Sequence, residues 1–353
     1  LTMREGKGEA DVHLRAAMTV IECAGGHLEM GRAHGEQARE AVRRALEVWR
    51  ESTARSSAEL VTGSPLLGTV RRLLPGLADE LRGIAEGAGV PFADVVACNW
   101  MDEAWWMRRR QLRRHGCSVV GAGGCLAQNM DLPAFMDGSQ LILRLRPQDG
   151  PEQLVLTSAG MLALTGVNAA GVAVCVNTLG MLNGDPHGLP VAAVIRGVLA
   201  QRDRAAATAF LRGVPHASGQ HYAVGDGGGI DSLECSAGGA VPVALRRGRL
   251  VHTNHALASG DLDAGALREL SERGSVRDSQ ARLRFLEASW RAEGTAAEAE
   301  ELLADDTVPI CVPGVPEWPI RTFGSVSYGL GEAPRARFRL GLPSVAAWVE
   351  PGW

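Results

Sequence analysis

Residues 113–131 read RRHGCSVVGAGGCLAQNMD, and the rest of the chain is arranged around this stretch. The segment ahead of it, Trp105 to Arg114, is helix-like and strongly charged. The pattern then changes abruptly. SVVGAGGCLAQ reads as two short strands joined by a glycine-rich turn at Gly121 to Gly124. Cys117 stands at the first residue of a strand, directly after Gly116. On these residues alone two readings are open. One is a turn glycine followed by a buried, inert strand cysteine, which is common. The other is a nucleophile. If the 116–117 bond is cut, Cys117 becomes an N-terminus carrying a thiol and an α-amine on one residue. A free thiol has a pKa near ~8.5. An α-amine titrates at about 7.7–8.0, so part of it is neutral at pH 7 and can take a proton. Such a pairing of N-terminal amine and side chain is an activated nucleophile. Gly116, lacking Cβ, lets the thiol approach its carbonyl and tolerates strained backbone.

The chain has 353 residues, enough for one large or two ordinary domains. With 46% hydrophobic and 22% charged residues it can bury a sizeable core. A net charge of −4 argues against a nucleic-acid or anionic-membrane surface. There is no apolar run long enough to predict a membrane span. LTMREGKGEA, at the start, is polar and lacks the apolar region of a signal peptide. The seven cysteines are scattered and form no C-x-x-C, which favours reduced thiols, a cytoplasmic location and no zinc site. His252 and His255 are three apart with no carboxylate or cysteine beside them in sequence, so no metal is expected there. The basic clusters Arg108 to Arg110 and Arg246-Arg247 read as solvated faces.

Ahead of the central stretch, residues 11–24 predict a strand and Gly25-Gly26 a turn. Helical patterns follow from Leu28, from Pro75 to the stop signals Gly87 and Gly89, and from an Asp94 cap. His34-Gly35 reads as a helix-packing position, and Trp100, Trp105 and Trp106 as core. Beyond Cys117 the chain turns β-rich. Strands are predicted over 141–147, 152–160, 163–168 and 171–180, with a turn at Asn168 to Gly171, all antiparallel and built from hairpins. Helices follow at 189–201, opened by Pro190, and 204–214. Strands return over 221–255, helices over 275–305, and a last hairpin near 321–342. The order describes an α+β protein with helices covering two sheets. The 116/117 junction is the one visible break.

Motifs spread over roughly residues 25–340 resemble the acyl-coenzyme A:isopenicillin N acyltransferase family of N-terminal-nucleophile (Ntn) hydrolases. More distantly they resemble penicillin V acylases and conjugated bile acid hydrolases. The resemblance rests on GGHLEMGRAHGEQ, ELRGIAEGAGVPFADVVACN, HGCS, LAQNMD, GVNAAGVAVCVNTL, HTNH and SQARLRFL, in that order. Gln128, in place of an arginine beside the N-M-D strand, points to the acyltransferase branch.

The resemblance implies a four-layer αββα sandwich made as an inactive precursor. Residues 1–116 would become an α chain that stays associated, and 117–353 a β chain, together one Ntn domain. It implies Cys117 as nucleophile and, through its freed amine, base, with Gly116-Cys117 as the cleavage site. Asp131 would hold that amine, and Asn177 and Asn254 would form the oxyanion hole. Arg282, Asn129 and His255 are possible supporting residues. The implied enzyme is an acyltransferase or amidohydrolase on a small acylated metabolite or peptide amide, acting through an acyl-Cys thioester. It would need no cofactor and no metal. Acyl-CoA or a carrier-bound acyl thioester is possible as co-substrate, and an amine as acceptor; a homo-oligomer is possible. Two alternatives from other classes stay open: a non-catalytic binding protein on the same fold, and a thiol peptidase using a Cys–His dyad, with His115 adjacent in sequence. The Met-, Leu- and Gly-rich segments around 132–140, 160–166 and 180–190 suggest an apolar acyl pocket.

Overall fold

In a computed structural model of the chain, which describes residues 20–53, 56–108, 116–314, 320–331 and 333–353, the central stretch is a tight hairpin. Ahead of it the chain forms strand β1 (Val20–Gly25) and helices α1 (His27–Gln37), α2 (Arg39–Ser52), α3 (Ser57–Thr62), α4 (Leu66–Leu73), α5 (Pro75–Ala88), α6 (Phe92–Asn99) and α7 (Met101–Arg108). The hairpin pairs β2 (Ser118–Ala122) with β3 (Cys125–Pro133). Its two turn residues, Gly123 and Gly124, have φ of 51° and 89°, the left-handed pair that a two-residue hairpin turn requires.

The strands that follow are β4 (Gln140–Pro147), β5 (Gln153–Ser158), β6 (Thr165–Asn168) and β7 (Ala173–Thr178). After helices α8 (Val191–Leu199) and α9 (Arg204–Gly213) come β8 (Gln220–Asp226), β9 (Gly229–Ser236), β10 (Gly239–Pro242) and β11 (Leu250–His252). Helices α10 (Ala264–Glu272), α11 (Ser275–Ser289) and α12 (Ala296–Leu302) precede β12 (Ile320–Gly329), β13 (Arg335–Arg339) and β14 (Trp348–Val349).

One sheet has eight strands in the order β1-β4-β5-β6-β7-β8-β9-β10; the other has six, β11-β2-β3-β12-β13-β14. Period-two alternation distributes their side chains. Val119 joins Leu126, Ile142, Leu156, Tyr328 and Phe338 in a cluster that both sheets contribute to. Its neighbour Val120 faces the other way and packs with Leu286 and Trp290 of the α11 segment and Ala299 of α12. On the far side of the eight-stranded sheet a larger core takes in α1, α2, α5, α6, α8 and α9.

The α1–α5 crossing is close because four glycines make it so. A Cβ at Gly31 would lie 2.1 Å from Glu80 O, at Gly35 2.4 Å from Ile84 O, at Gly83 2.3 Å from Leu28 O and at Gly87 2.3 Å from Arg32 O. His34 is indeed a packing residue, its Nε2 accepting the Gly160 N–H at 3.2 Å. The crossing carries Glu80 into the interior, where it pairs with Arg196 of α8 and accepts from His27 Nδ1 at 2.8 Å. Burial pushes the Glu80 carboxyl up, but Arg196 and His27 outweigh it and hold it down to about 2.

Several expectations need correction. β1 begins at Val20 among the described residues, and it pairs with β4 in parallel, so the eight-stranded sheet is not built from hairpins alone. Pro91 rather than Asp94 is the N-cap of α6, because Pro91 is held extended and Asp94 falls in the first turn. Gly87 lies inside α5, which ends at Gly89, a left-handed residue at φ 65°. Helices α3, α4 and α10 were not expected. Trp100 is buried. The side chains of Trp105, Trp106 and Arg108, and all of Arg109, Arg110 and His115, lie outside the described residues. No helix among the described residues is long and apolar enough to cross a membrane.

Candidate active site

Cys117 lies at the foot of β2, buried, with a thiol that accepts a hydrogen bond from the Asp131 backbone N–H. Its carbonyl oxygen is gripped twice. Asn177 Nδ2 donates to it at 3.0 Å and Arg282 Nη1 at 2.8 Å. Arg282 Nη1 also donates to Ser118 Oγ at 2.9 Å, and Nη2 to Asn254 Oδ1 at 3.0 Å. Asn254 Nδ2 in turn donates to Thr178 O at 3.0 Å. Gly116 is wedged against the same asparagine: a Cβ there would sit 2.4 Å from Asn254 Oδ1. Glycine is therefore the residue that fits ahead of Cys117 while Asn254 holds its place. Arg282 comes 165 positions after Cys117 in sequence, yet it touches both Cys117 and Asn254.

Burial pushes the Cys117 thiol up to about 12, and the nearby Asp131 carboxyl adds to the effect. The thiol of the intact chain is thus protonated at neutral pH. Asp131 accepts from Thr322 Oγ1 at 2.8 Å through Oδ1. Its Oδ2 is buried with no hydrogen-bond donor. Burial raises this carboxyl to about 7, opposed by Thr322 and by the positive Arg282. Burial in turn lowers the Arg282 guanidinium.

Behind Asn177 stands a chain of buried groups. His221 lies opposite Asn177 in the β7–β8 register, and its Nδ1 donates to Asn177 Oδ1 at 2.9 Å. The tautomer follows from the acceptor it faces. The other ring nitrogen meets Ser232 Oγ at 2.9 Å. The His221 ring stacks on His252 at 3.7 Å and 3°. His252 Nε2 donates to Glu234 Oε1 at 2.9 Å, and Glu234 also accepts the N–H groups of Leu257, Ala258 and Ser259. His252 thus has a carboxylate beside it in space though none in sequence: Glu234 comes from β9, in the other sheet. Burial, then the neighbouring His252, keeps the His221 imidazole neutral by lowering its pKa well below the usual value.

His255 meets Ser279 Oγ at 2.7 Å, and Ser279 Oγ accepts the Asn254 backbone N–H at 2.8 Å. His255 therefore supports Asn254 from behind. Burial, His252 and Arg282 lower it to about 4. Gln128 bridges the sheets, donating to Val176 O and accepting from Val176 N at 3.1 Å, one residue before Asn177. Asn129 does not join the cluster. Its amide donates to Leu303 O at 2.6 Å and Ile310 O at 3.0 Å, and its oxygen accepts from Ser325. It faces the same side as Asp131 but lies two residues along β3, where it pins the 303–310 segment.

A cavity of about 1070 Å³, mouth included, opens over Cys117. Leu132, Met161, Leu164, Met181 and Val191 supply apolar walls, so the segments picked out in the sequence do meet here, joined by α8. Asn99 fixes one wall by donating to Gly160 O at 2.8 Å and accepting from Leu162 N at 2.7 Å. Cys117, Asp131, Asn254 and Arg282 form the polar end. Asp102, which no sequence signal singled out, lines the cavity as well. Among the described residues no three histidine, cysteine or carboxylate side chains converge as a metal site. His221, His252 and His255 are each committed to the partners named above.

The acyl-coenzyme A:6-aminopenicillanic acid acyl-transferase family model matches residues 120–318. The 40 kDa form of acyl-coenzyme A:6-aminopenicillanic-acid-acyltransferase from Emericella nidulans is 28% identical over 277 residues, covering 72% of this chain and 74% of the relative. Among solved structures, penicillin V acylase from Agrobacterium tumefaciens aligns with a TM-score of 0.41 and 15% identity over 66% of this chain and 86% of that one. A variant of conjugated bile acid hydrolase from Clostridium perfringens aligns with a TM-score of 0.42 and 11% identity over 66% and 92%. With more than half of its length matched by the family model, the chain belongs to the acyl-coenzyme A:6-aminopenicillanic acid acyl-transferase family.

Proposed function

We propose that this protein is a self-processing Ntn acyltransferase or amidohydrolase, cut between Gly116 and Cys117, with Cys117 as its nucleophile. In this reading the helices, two facing sheets and second helix set form the four-layer αββα sandwich. The observation that carries the proposal is Asp131 Oδ2, a buried carboxyl oxygen with no donor, on a residue whose own N–H holds the Cys117 thiol. An unpaired buried carboxylate is costly. A cationic amine released at Cys117 would supply the missing donor.

The chemistry divides into two stages. In the precursor, Sγ attacks the Gly116 carbonyl carbon, the 116–117 C–N bond breaks, and the thiol proton passes to the leaving nitrogen. Water hydrolyses the resulting thioester, leaving a Gly116 carboxylate and a free thiol. In the mature enzyme the α-amine takes the thiol proton and Sγ attacks the acyl carbon of an amide or thioester. The ammonium then returns the proton to the leaving group. Water or an amine resolves the acyl-Cys117 thioester. Asn177 and Arg282 fix the Cys117 main chain, each amide of Asn177 and Asn254 keeps a second N–H for the developing oxyanion, and Asp131 orients the amine. One such donor is worth about 2.7–4 kcal/mol. The apolar walls suit a hydrocarbon-rich acyl group, and acyl-CoA or a carrier-bound thioester fits the role of donor without any resident cofactor.

Denaturing mass spectrometry tests this directly. Two polypeptides divided before Cys117 are expected from the wild type, and one intact, inactive chain from Cys117→Ala. A fully active, unbroken wild-type chain overturns the proposal.

A further inference from the structure

The mechanism above leaves one carboxylate of the cavity without a task. Asp102, on α7, lines the same space as Cys117, Asp131 and Asn254. Both hydrogen bonds it accepts reach a single oxygen: Thr178 Oγ1 at 3.0 Å and Gln220 Nε2 at 3.1 Å, each to Oδ2. No donor among the described residues reaches Oδ1, yet that oxygen is not sealed among the buried, unpartnered atoms as Asp131 Oδ2 is. No arginine, lysine or histidine among them pairs with Asp102; the Nη donors of Arg282 go to Cys117, Ser118 and Asn254, and its Nε meets no acceptor among the described residues. Its sequence neighbour Glu103 is buried, binds Val191 N at 2.9 Å and Ser218 Oγ at 2.8 Å, and is raised to about 7 by burial and by Asp102. Thr178 and Gln220 therefore hold the Asp102 carboxyl in one orientation, in a cavity whose walls are apolar away from the polar end at Cys117, Asp131, Asn254 and Arg282.

A neutral hydrogen-bond acceptor would suffice to receive an amide N–H. A carboxylate placed among Met161, Met181 and Val191 is costly until a cation meets it. Burial accordingly raises its pKa, and a bound cation would return it to the charged form. From this arrangement we infer that Asp102 is a specificity-determining residue that selects a substrate bearing a protonated nitrogen, held within the cavity against Oδ1. The inference rests on the acyl-transfer reading of the site and narrows its substrate class. The nitrogen could belong to the acyl group or to the amine side of the scissile bond, and the two are separable.

The experiment compares isosteric pairs that exchange –NH₃⁺ for –CH₃. The acyl arm uses anilides of 2-amino-2-phenylacetic and 2-phenylpropanoic acid. The amine arm uses 2-aminoethyl and propyl amides of phenylacetic acid. In the wild type, kcat/KM is expected to favour the cationic member of one arm, and that arm identifies the source of the nitrogen. In Asp102→Asn, whose side chain keeps an acceptor for Thr178 and Gln220, the preference should shrink roughly tenfold or more, chiefly through KM. An unchanged preference in a folded Asp102→Asn protein overturns the inference. So does a wild type with no cationic preference in either arm, a result that needs no variant to fold. The acyl-Cys117 adduct, followed by mass, keeps the two levels apart. Adducts without charge preference sink the role of Asp102 alone, whereas no adduct from any probe and an uncut chain sink the acyl-transfer reading beneath it.

Discussion

Two sides of Cys117 differ in how completely their hydrogen bonds are made. On one side Asn177, Asn254 and Arg282 are cross-linked, although Arg282 Nε meets no acceptor among the described residues and each amide keeps a second N–H. Their donors meet the Cys117 carbonyl, the Thr178 carbonyl and one another, with His221 and Ser279 behind them. On the other side carboxyls wait: among the described residues no donor reaches Asp131 Oδ2, which is buried, or Oδ1 of Asp102, which lines the cavity. A cross-linked network holds its atoms in place before any ligand arrives, as charge stabilisation in a transition state requires. Unpartnered oxygens mark where further groups can bind. The contrast separates what the fold has already fixed from what it leaves to be completed.

Experiments can break or sharpen that contrast, beginning with the largest effect. Cys117→Ala should abolish both scission and turnover, read by denaturing mass spectrometry and by loss of product. On the cross-linked side, Arg282→Lys replaces a planar fork with a point charge. It cannot span Cys117 O and Asn254 Oδ1 together, and kcat should fall about 10²–10³-fold, with the melting curve reporting any separate loss of stability. His221→Ala should cost roughly ten- to a hundredfold in kcat by releasing the Asn177 amide. His221→Asn, whose amide N–H can stand in for Nδ1–H, should recover part of the loss. Equal damage from both variants, or an effect confined to stability, would reduce His221 to packing.

The smallest effect is a pH dependence on the side of the unpartnered oxygens. In Cys117→Ala the Asp131 carboxyl keeps its proton up to about 7 when folded but loses it in the ordinary carboxylate range when unfolded. The folded chain then binds more protons across that window, so stability is lost as pH rises through it, by a few degrees in Tm. Asp131→Asn in the same background should flatten the slope. In the processed wild type, the new ammonium should flatten or reverse it.

Much of this site is legible in the chain because its signals are local. Gly123-Gly124 marks the turn, the alternation of SVV and CLAQ marks the strands, and Gly116 before Cys117 marks the junction. The pocket segments were readable from their Met, Leu and Gly content. What escaped depends on register between distant strands. His221 matters because it faces Asn177 across β7 and β8, and Glu234 reaches His252 from the other sheet. Neither relation has a signature in either segment alone. Asp102 sits in MDEAWW, which reads as an ordinary charged helix until α7 turns that face to the cavity. Asn129 stands apart from the cluster for the converse reason: motif membership does not say which loop a side chain meets.

The parallel pairing of β1 with β4, and the Glu80–Arg196 pair beneath it, join segments from before and after the 116/117 peptide. Asp102 adds a cavity wall from the first segment. A scission there would alter covalent connectivity while leaving the particle's outline unchanged. Gel filtration or scattering would record the same object before and after, and neither piece alone would own a complete binding cavity.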